Sequence, residues 1–333
     1  MGADAFWPRQ AVSVALQADK TSADYARLAA LCEQLGFDGI SVYGDLGYQP
    51  PVAVLAILAE HTQHVRLGVA CMNPFTTHPF ELASQHAEID AMSGHRAYFG
   101  IARGAWLDRV GLNPSRPIQA VAEAVDIVRL LLAGDDSGYD GDIYHLLPGA
   151  RLAGTRPRTD VHVLVGTWGP AGAQRAASYA QECKIGGTAN ADMVHLYRGW
   201  LGAAPVGVVA GAVTVVDDDR IAARHLARQQ VAHYLDVVAP LDPTFEPPPG
   251  LLEALRSRLQ AGDAEGAGSL VPDEVLDRFS LAGDPDEVAR RAAALYDAGA
   301  ARVEFGTPHG LTPDRGLELL GRRVLPQLRE AIA

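Results

Sequence analysis

The segment covering residues 65–106 constrains the fold of this chain more than any other feature. It contains two nearly continuous apolar runs, at residues 65–72 and 96–102, which are typical of strands buried on both faces. Residues 79–92 form a predicted helix that opens with a proline, which suits a first helical turn. The segment is therefore predicted to be a βαβ unit. Ligands of parallel α/β proteins bind beyond the carboxyl ends of strands, and this segment carries there Cys71, Asn73, His78, Arg103, Gly104 and Trp106.

The same alternation of strand and helix continues along the chain. Strands are predicted at residues 11–16, 39–43, 65–72, 96–102, 161–167, 183–186, 206–216 and 302–305. Helices are predicted at residues 22–35, 50–61, 79–92, 114–132, 171–180, 191–200, 284–298 and 313–332. This order predicts an α/β fold, a (β/α)₈ TIM barrel formed by one domain over residues 1–333. A doubly wound sheet is disfavoured because no glycine-rich dinucleotide fingerprint follows the first strand.

Two stretches depart from the regular alternation. Residues 135–160 are rich in Gly, Asp, Pro and Arg, and they predict an inserted hairpin and loop after the fourth helix, with short strands around residues 143–147. Residues 217–299 are predicted to be helical with two interruptions, LDPTFEPPPG and AGDAEGAGS, which places extra helices between the seventh and eighth strands.

Charge and cysteine content narrow the functional class. The formal net charge is −12 at pH 7, which argues against nucleic acids and anionic membrane surfaces as partners. The three cysteines are scattered and show no CxxC or Cys/His spacing, so we expect reduced thiols and no metal site. The sequence starts without a signal-peptide pattern, and its longest apolar stretch, residues 205–216, is too short to span a bilayer. A cytoplasmic enzyme is therefore expected.

Three stretches, in this order along the chain, resemble one known family. They are residues 65–106, VGTWGPAGAQRAASYAQECKIGGTANADMV at residues 165–194, and RVEFGTPHG at residues 302–310. Together they resemble the luciferase-like superfamily, and within it the deazaflavin branch that uses coenzyme F420 and includes methylenetetrahydromethanopterin reductase. The resemblance implies a TIM barrel with the cofactor ring at its C-terminal mouth. It also implies a bulge at the end of the third strand, with a cis peptide bond between Ala70 and Cys71.

The resemblance implies a set of cofactor-binding residues at the strand ends. Arg103 either binds an anionic group or forms an ion pair on the surface. Asn73 either forms only a turn or also makes a hydrogen bond to the edge of the cofactor ring. Trp106 either covers the ring as a lid or packs in the core. Two glycine turns favour a phosphate-bearing tail, because free amides at a helix N-terminus attract anions. The predicted cofactor-binding residues are Ala70, Cys71, Asn73, Arg103, Gly104, Gly166, Thr167, Gly169, Gly186, Gly187 and Thr188.

Two residues are candidate proton donors. Asp45 follows the second strand, where the family often places an acid or a histidine, and it either donates a proton or caps a turn. His309 follows the eighth strand and is expected at the mouth as a proton donor or a substrate contact, although a lone loop histidine is more often neither. Relatives among the reductases carry a carboxylate at the end of the first strand, where this chain has Leu16 and Gln17.

The resemblance predicts an oxidoreductase that transfers a hydride between reduced F420 and an electron-poor C=C, C=N or carbonyl group of a small-molecule substrate. Two alternatives remain open: a monooxygenase that uses reduced FMN and O₂, and a non-catalytic cofactor-binding paralogue. Family members usually pair through outer helices, and residues 50–92 carry two largely apolar ones. A homodimer or a larger homo-oligomer is therefore expected.

Overall fold

The structure, a computed structural model, describes residues 6–154 and 158–330. Its strands are β1 (Ala11–Leu16), β2 (Gly39–Val42), β3 (Arg66–Val69), β4 (Ala97–Ala102), β5 (Tyr139–Asp140), β6 (His145–Leu146), β7 (Val163–Gly166), β8 (Glu182–Gly186), β9 (Gly207–Val216), β10 (Ser280–Gly283) and β11 (Ala300–His309).

Eight of these strands close into a parallel barrel. The ring runs β1, β2, β3, β4, β7, β8, β9 and β11, and β11 pairs again with β1. The (β/α)₈ prediction is therefore confirmed. The prediction that residues 217–299 contain only helices is wrong, because β10 pairs with the far end of β9, from Ser280 opposite Val213 to Gly283 opposite Val216. A buried run of four residues between two helices is too short to show a strand period in the sequence.

The helices are α1 (Ser22–Leu35), α2 (Pro51–Glu60), α3 (Pro79–Met92), α4 (Pro117–Leu132), α5 (Pro170–Ala176), α6 (Ala191–Leu201), α7 (Arg220–Ala232), α8 (Leu235–Val238), α9 (Leu251–Gln260), α10 (Ala264–Ser269), α11 (Asp273–Phe279), α12 (Pro285–Asp297), α13 (Pro313–Leu319) and α14 (Leu325–Glu330). None of these helices combines the length and apolarity needed to cross a bilayer.

Local sequence explains several element boundaries. Helix α1 begins after Thr21, whose hydroxyl accepts a hydrogen bond from the Asp24 amide, and it ends at Gly36 in the left-handed conformation. The AGDAEGAGS stretch, predicted as an interruption, contains α10 because Asp263 accepts the Gly266 amide at its start. The predicted closing helix is divided by a π-helical turn at Leu320–Val324, and its last two predicted residues lie outside the described residues.

Two predicted strands have different lengths in the structure. Strand β3 was predicted to reach residue 72 but ends at Val69, just before a cis peptide bond between Ala70 and Cys71, the bond that the resemblance implied. Met72 then makes an isolated bridge to Ile101 of β4. Strand β11 was predicted at residues 302–305 but extends to His309, with register shifts against β9. The inserted hairpin is present as β5 and β6.

Charged side chains occupy the interior of the barrel below its mouth. The Arg302 guanidinium makes two hydrogen bonds of 2.9 Å to the Glu182 carboxylate and a third, also 2.9 Å, to the Ser13 hydroxyl. The indole of Trp7 donates a 2.8 Å hydrogen bond to the same Glu182, and the Arg302 guanidinium lies 4.3 Å from the centre of the indole ring. These partners satisfy charges that would otherwise be costly to bury.

Candidate functional site

A cavity of about 470 Å³ opens at the carboxyl ends of the barrel strands. Its walls come from the segments that follow β2, β3, β4 and β7, from β8, and from α8 with the 3₁₀ turn Ala239–Leu241. The lining side chains are apolar on the α4 and α8 sides and polar toward the barrel interior. The residues that line it include Asp45, Leu46, Ala70, Cys71, Asn73, Arg103, Gly104, Ile118, Gly166, Thr167, Trp168, Tyr179, Lys184, Gly186, Val237, Val238 and Leu241.

The backbone around Cys71 forms one wall, and glycines on the neighbouring strands allow it to do so. A Cβ atom on Gly44 would lie 2.4 Å from the Cys71 carbonyl oxygen, and one on Gly100 would lie 1.8 Å from the Val69 carbonyl oxygen. Both positions therefore need glycine for close approach of backbone. Burial raises the pKa of the Cys71 thiol to about 12, so the thiol is protonated at neutral pH.

Asn73 follows this wall and uses its two amide atoms differently. Its Oδ1 accepts hydrogen bonds from the Phe75 amide at 3.1 Å and from the Thr76 amide at 2.9 Å, which closes a local turn. Among the described residues, its Nδ2 donates no hydrogen bond. Gly104 provides space for this side chain, because a Cβ on Gly104 would lie 3.1 Å from the Asn73 Cβ. Asn73 therefore both forms the turn and offers a free donor on the cavity wall.

Asp45 brings a carboxyl group to the same cavity. Its Oδ2 accepts a hydrogen bond of 3.2 Å from the Gln17 side chain at the end of β1. Burial raises the pKa of Asp45, while the Gln17 amide and the Lys184 ammonium act in the opposite direction with smaller effect. The carboxyl is therefore able to hold a proton at a higher pH than an exposed aspartate.

Lys184 of β8 contributes a buried cation to the floor of the cavity. Its ammonium donates a hydrogen bond to Glu304 of β11 and lies 5.3 Å from the centre of the Tyr43 ring. Burial alone would raise the pKa of Glu304, but the Lys184 and Arg302 charges outweigh burial and hold that pKa below its ordinary value. Lys184 is therefore both paired with a buried carboxylate and part of the cavity lining.

The sequence that forms this barrel and cavity matches a known protein family. A sequence model described as luciferase-like monooxygenase matches residues 7–302. The chain belongs to the luciferase-like monooxygenase family. The described residues contain no group of three His, Cys, Asp or Glu side chains placed to hold a metal ion.

Individual members of the luciferase-like family match most of the chain. The 5,10-methylenetetrahydromethanopterin reductase of Archaeoglobus fulgidus is 32% identical over 317 residues, which cover 90% of this chain and 94% of that protein. The F420-dependent glucose-6-phosphate dehydrogenase of Microbacterium testaceum is 27% identical and covers 91% of this chain and 92% of its own length. The coenzyme F420 dependent tetrahydromethanopterin reductase of Methanopyrus kandleri superposes with a TM-score of 0.86 at 23% identity, over 96% of this chain and 100% of its own. This last likeness concerns the fold.

The structure brings most of the predicted site residues together at one cavity. Those that line it are Asp45, Ala70, Cys71, Asn73, Arg103, Gly104, Gly166, Thr167 and Gly186. Gly169, Gly187 and Thr188 were predicted with them but are not among the residues that line this cavity. A Cβ on Gly187 would lie 2.8 Å from Val238, Thr188 is fully buried, and Gly169 precedes the seven-residue helix α5.

The second proton-donor candidate, His309, is not part of the cavity lining. It is 1% exposed, and its Nε2 lies 3.2 Å from the Phe305 carbonyl oxygen. Burial and, to a smaller extent, Lys20 lower the pKa of His309 to about 4, so the ring is neutral at pH 7. Trp106 is also absent from the lining, and the Arg109 guanidinium lies 5.2 Å from its ring centre.

Several lining residues were missed by the sequence reasoning. They include Lys184, Trp168, Tyr179 and the α8 residues with the turn that follows, Val237, Val238 and Leu241. The sequence did contain a signal for Lys184. Glu182, Lys184 and Gly186 alternate along β8, and the two-residue period of a strand places all three on the side that faces the barrel interior. The apolar residues of α8 carried no signal, since nothing in their local pattern separates a cavity wall from an ordinary core helix.

Proposed function

We propose that this protein is an F420-dependent oxidoreductase that transfers a hydride between the reduced deazaflavin and an electron-poor C=C, C=N or carbonyl group of a small-molecule substrate. The observation that carries the proposal is the position of Asp45, a partly desolvated carboxyl on the same cavity as the Ala70–Cys71 wall. Two curated relatives, a methylenetetrahydromethanopterin reductase and an F420-dependent dehydrogenase, support this choice over a flavin monooxygenase.

The cavity residues fit a flat, polar-edged ring. Glycines at positions 44, 104, 166 and 186 keep the walls free of side chains, and the Asn73 Nδ2 is an unused donor among the described residues. We assign ring binding to the backbone of Ala70 and Cys71 together with Asn73, Arg103, Gly104, Gly166, Thr167 and Gly186. Gly169, Gly187 and Thr188 remain predicted contacts of the phosphate-bearing tail. When bound, the deazaflavin supplies hydride chemistry, and the protein supplies orientation and protons.

Asp45 is the proton donor in this proposal. A substrate that receives a hydride at one atom of an electron-poor double bond also needs a proton at the other. Burial raises the pKa of Asp45, so its carboxyl keeps a proton to a higher pH than an exposed aspartate does, and Gln17 donates a 3.2 Å hydrogen bond that orients it. His309 is a weaker donor candidate, because its neutral ring is hydrogen-bonded away from the cavity lining.

We also propose that the protein works in the cytoplasm as a homodimer. Helices α2 and α3 pack side by side on the outside of the barrel, and Val52, Ala56 and Ile57 of α2 are only partly buried. Burial of these side chains between two copies would remove apolar surface from water. Sedimentation at micromolar concentration should give the mass of a dimer, and a monomer mass would refute the pairing. Cell fractionation tests the location.

Equilibrium titration tests the cofactor assignment. The purified protein is titrated separately with F420 and with FMN, and binding is followed by quenching of cofactor fluorescence. We expect saturable binding of F420 and much weaker binding of FMN, with unchanged F420 affinity in Asp45→Asn because this group serves the substrate. Preferential binding of FMN with oxygen consumption by the reduced complex would support the monooxygenase instead. F420 binding without turnover of any acceptor would support a non-catalytic paralogue.

A further inference from the structure

Four buried charges connect the base of the barrel to the candidate site. In order they are Glu182, Arg302, Glu304 and Lys184, with relative exposures of 3%, 0%, 0% and 6%. Each negative group is bonded to a positive neighbour, so the chain of charges is neutral as a whole. Lys184 is the member that lines the cavity, and its partner Glu304 also accepts hydrogen bonds from Ser13 and Ser41.

The barrel wall holds Lys184 in one position. Two glycines leave room for its aliphatic stem: a Cβ on Gly211 would lie 3.2 Å from the Lys184 Cε, and one on Gly186 would lie 3.7 Å from it. The Tyr43 ring, whose centre is 5.3 Å from the ammonium, covers another side. Asp45 follows Tyr43 by two residues and lines the same cavity as Lys184, so this packing fixes a cation in the wall of the cavity that also holds the Asp45 carboxyl.

We propose that Lys184 and Glu304 are positioning residues for Asp45: Glu304 anchors the Lys184 ammonium at the cavity floor, and the charge of the pair governs how readily Asp45 keeps its proton. The proposal rests on the proton-donor role given to Asp45 above. It explains why a cation is buried at this position although Glu304 already has Arg302 as a partner.

The other groups that face Asp45 carry little charge. Gln17 from β1 is neutral, and burial keeps the Tyr43 hydroxyl and the Cys71 thiol protonated by raising the pKa of each. Arg103, after β4, lines the same cavity but is exposed to solvent, which screens its charge. Among the described residues that line the cavity, Lys184 of β8 is therefore the buried cation that acts on Asp45, and Glu304 of β11 is its carboxylate partner.

Opposite effects are expected from neutralising the two partners. Lys184→Met removes the cation from the cavity and leaves Glu304 without its lysine partner, so Asp45 should keep its proton to a higher pH. Glu304→Gln leaves the ammonium without its carboxylate partner, so Asp45 should lose its proton at a lower pH. Both midpoints should move by on the order of one pH unit, which is a tenfold change in proton affinity. The double variant should fall between the two single variants.

The experiment measures Asp45 directly in the protein without added cofactor. Aspartate labelled with ¹³C in the carboxyl group is incorporated, and the Asp45 resonance is identified by its loss in Asp45→Asn. Its titration midpoint is then compared in the wild type, Lys184→Met, Glu304→Gln and the double variant. Lys184→Arg keeps the charge and should keep the midpoint. Lys20→Met, which changes the only other lysine of the chain, should also leave it unchanged.

Midpoints that stay at the wild-type value in both single variants, or that move in the same direction, would overturn the proposal. If Glu304→Gln does not fold, the comparison of Lys184→Met with Lys184→Arg and Lys20→Met still decides, because only the first removes the cation from the cavity floor. The result is independent of turnover. Shifted midpoints in a protein that transfers no hydride would uphold the positioning role and refute the proposed function.

Discussion

Replacement of Asp45 by asparagine removes the transferable proton while preserving the shape of the side chain. The Asn side-chain oxygen is still able to accept the 3.2 Å hydrogen bond from Gln17, so the fold and the cavity should be unchanged. Loss of a positioned general acid typically lowers turnover by about 10²–10⁴-fold. This range corresponds to about 3–5 kcal/mol of transition-state stabilisation. We expect a loss within it for Asp45→Asn.

The pH dependence gives a second, independent signature of the same residue. In the direction of substrate reduction, Asp45 acts in its protonated form, which is present below its pKa. Because burial raises the pKa of Asp45, turnover should persist to a higher pH than for an exposed aspartate and then fall as pH rises through that pKa. Asp45→Asn should abolish this decline, because asparagine does not titrate.

The assay is a single turnover of reduced F420 without oxygen, followed by the absorbance of the oxidised deazaflavin. His309→Ala is the comparison variant, and it should retain turnover because His309 lies outside the cavity lining. Full activity in Asp45→Asn with loss in His309→Ala would transfer the role to His309. Full activity in both variants would refute the reasoning for a protein acid, and the proton would then come from solvent or substrate.

Three further outcomes follow from the packing around the cavity. Gly44→Ala should destabilise the fold by about 1–3 kcal/mol, because its Cβ would meet the Cys71 oxygen at 2.4 Å, whereas Gly186→Ala, with its nearest protein contact at 3.7 Å, should leave the free energy of unfolding unchanged. Equal effects of the two alanines would contradict this. Arg302→Met should lower the free energy of unfolding in urea by about 3–5 kcal/mol, because Glu182 loses its buried partner; a loss of about 1 kcal/mol or less would indicate only a surface-like ion pair. Burial alone would raise the pKa of Glu182, but Arg302 and His162 outweigh burial and lower that pKa from 4.5 to about 2. The contribution of ionised Glu182 to the free energy of unfolding is therefore fully present above pH 4.5 and is lost as the pH falls toward 2. Acid unfolding monitored by circular dichroism checks this, and stability that rises as pH falls through that window would contradict it.

The barrel was predictable because its strands are buried on both faces and its helices carry local stop signals. The apolar runs at β1, β3 and β4 and the glycine after α1 are properties of short segments, so they can be read without knowledge of the fold. Strand β10 escaped prediction because it exists only through pairing with the extended end of β9. Long-range pairing of this kind leaves no local pattern.

The site was predictable where it coincides with strand ends. Asp45, Asn73 and Gly104 follow predicted strands, and the barrel geometry brings them to one cavity. Gly187 shows the limit of this reasoning, because its neighbour Gly186 lines the cavity whereas Gly187 does not, and a Cβ on Gly187 would lie 2.8 Å from Val238. The ion pair between Lys184 and Glu304 could not be predicted from the sequence either, because the two residues are 120 positions apart.

The most direct test of the hydride-transfer account is an isotope experiment. The protein is loaded with reduced F420 that carries deuterium at its hydride-bearing carbon, and it is mixed with electron-poor C=C, C=N and carbonyl compounds. Heavy oxygen gas is supplied in a parallel reaction with reduced FMN, and products are analysed by mass spectrometry. The account predicts a reduced product that contains deuterium from F420 and no heavy oxygen. A product that contains heavy oxygen, formed only with FMN and without deuterium transfer from F420, would contradict it.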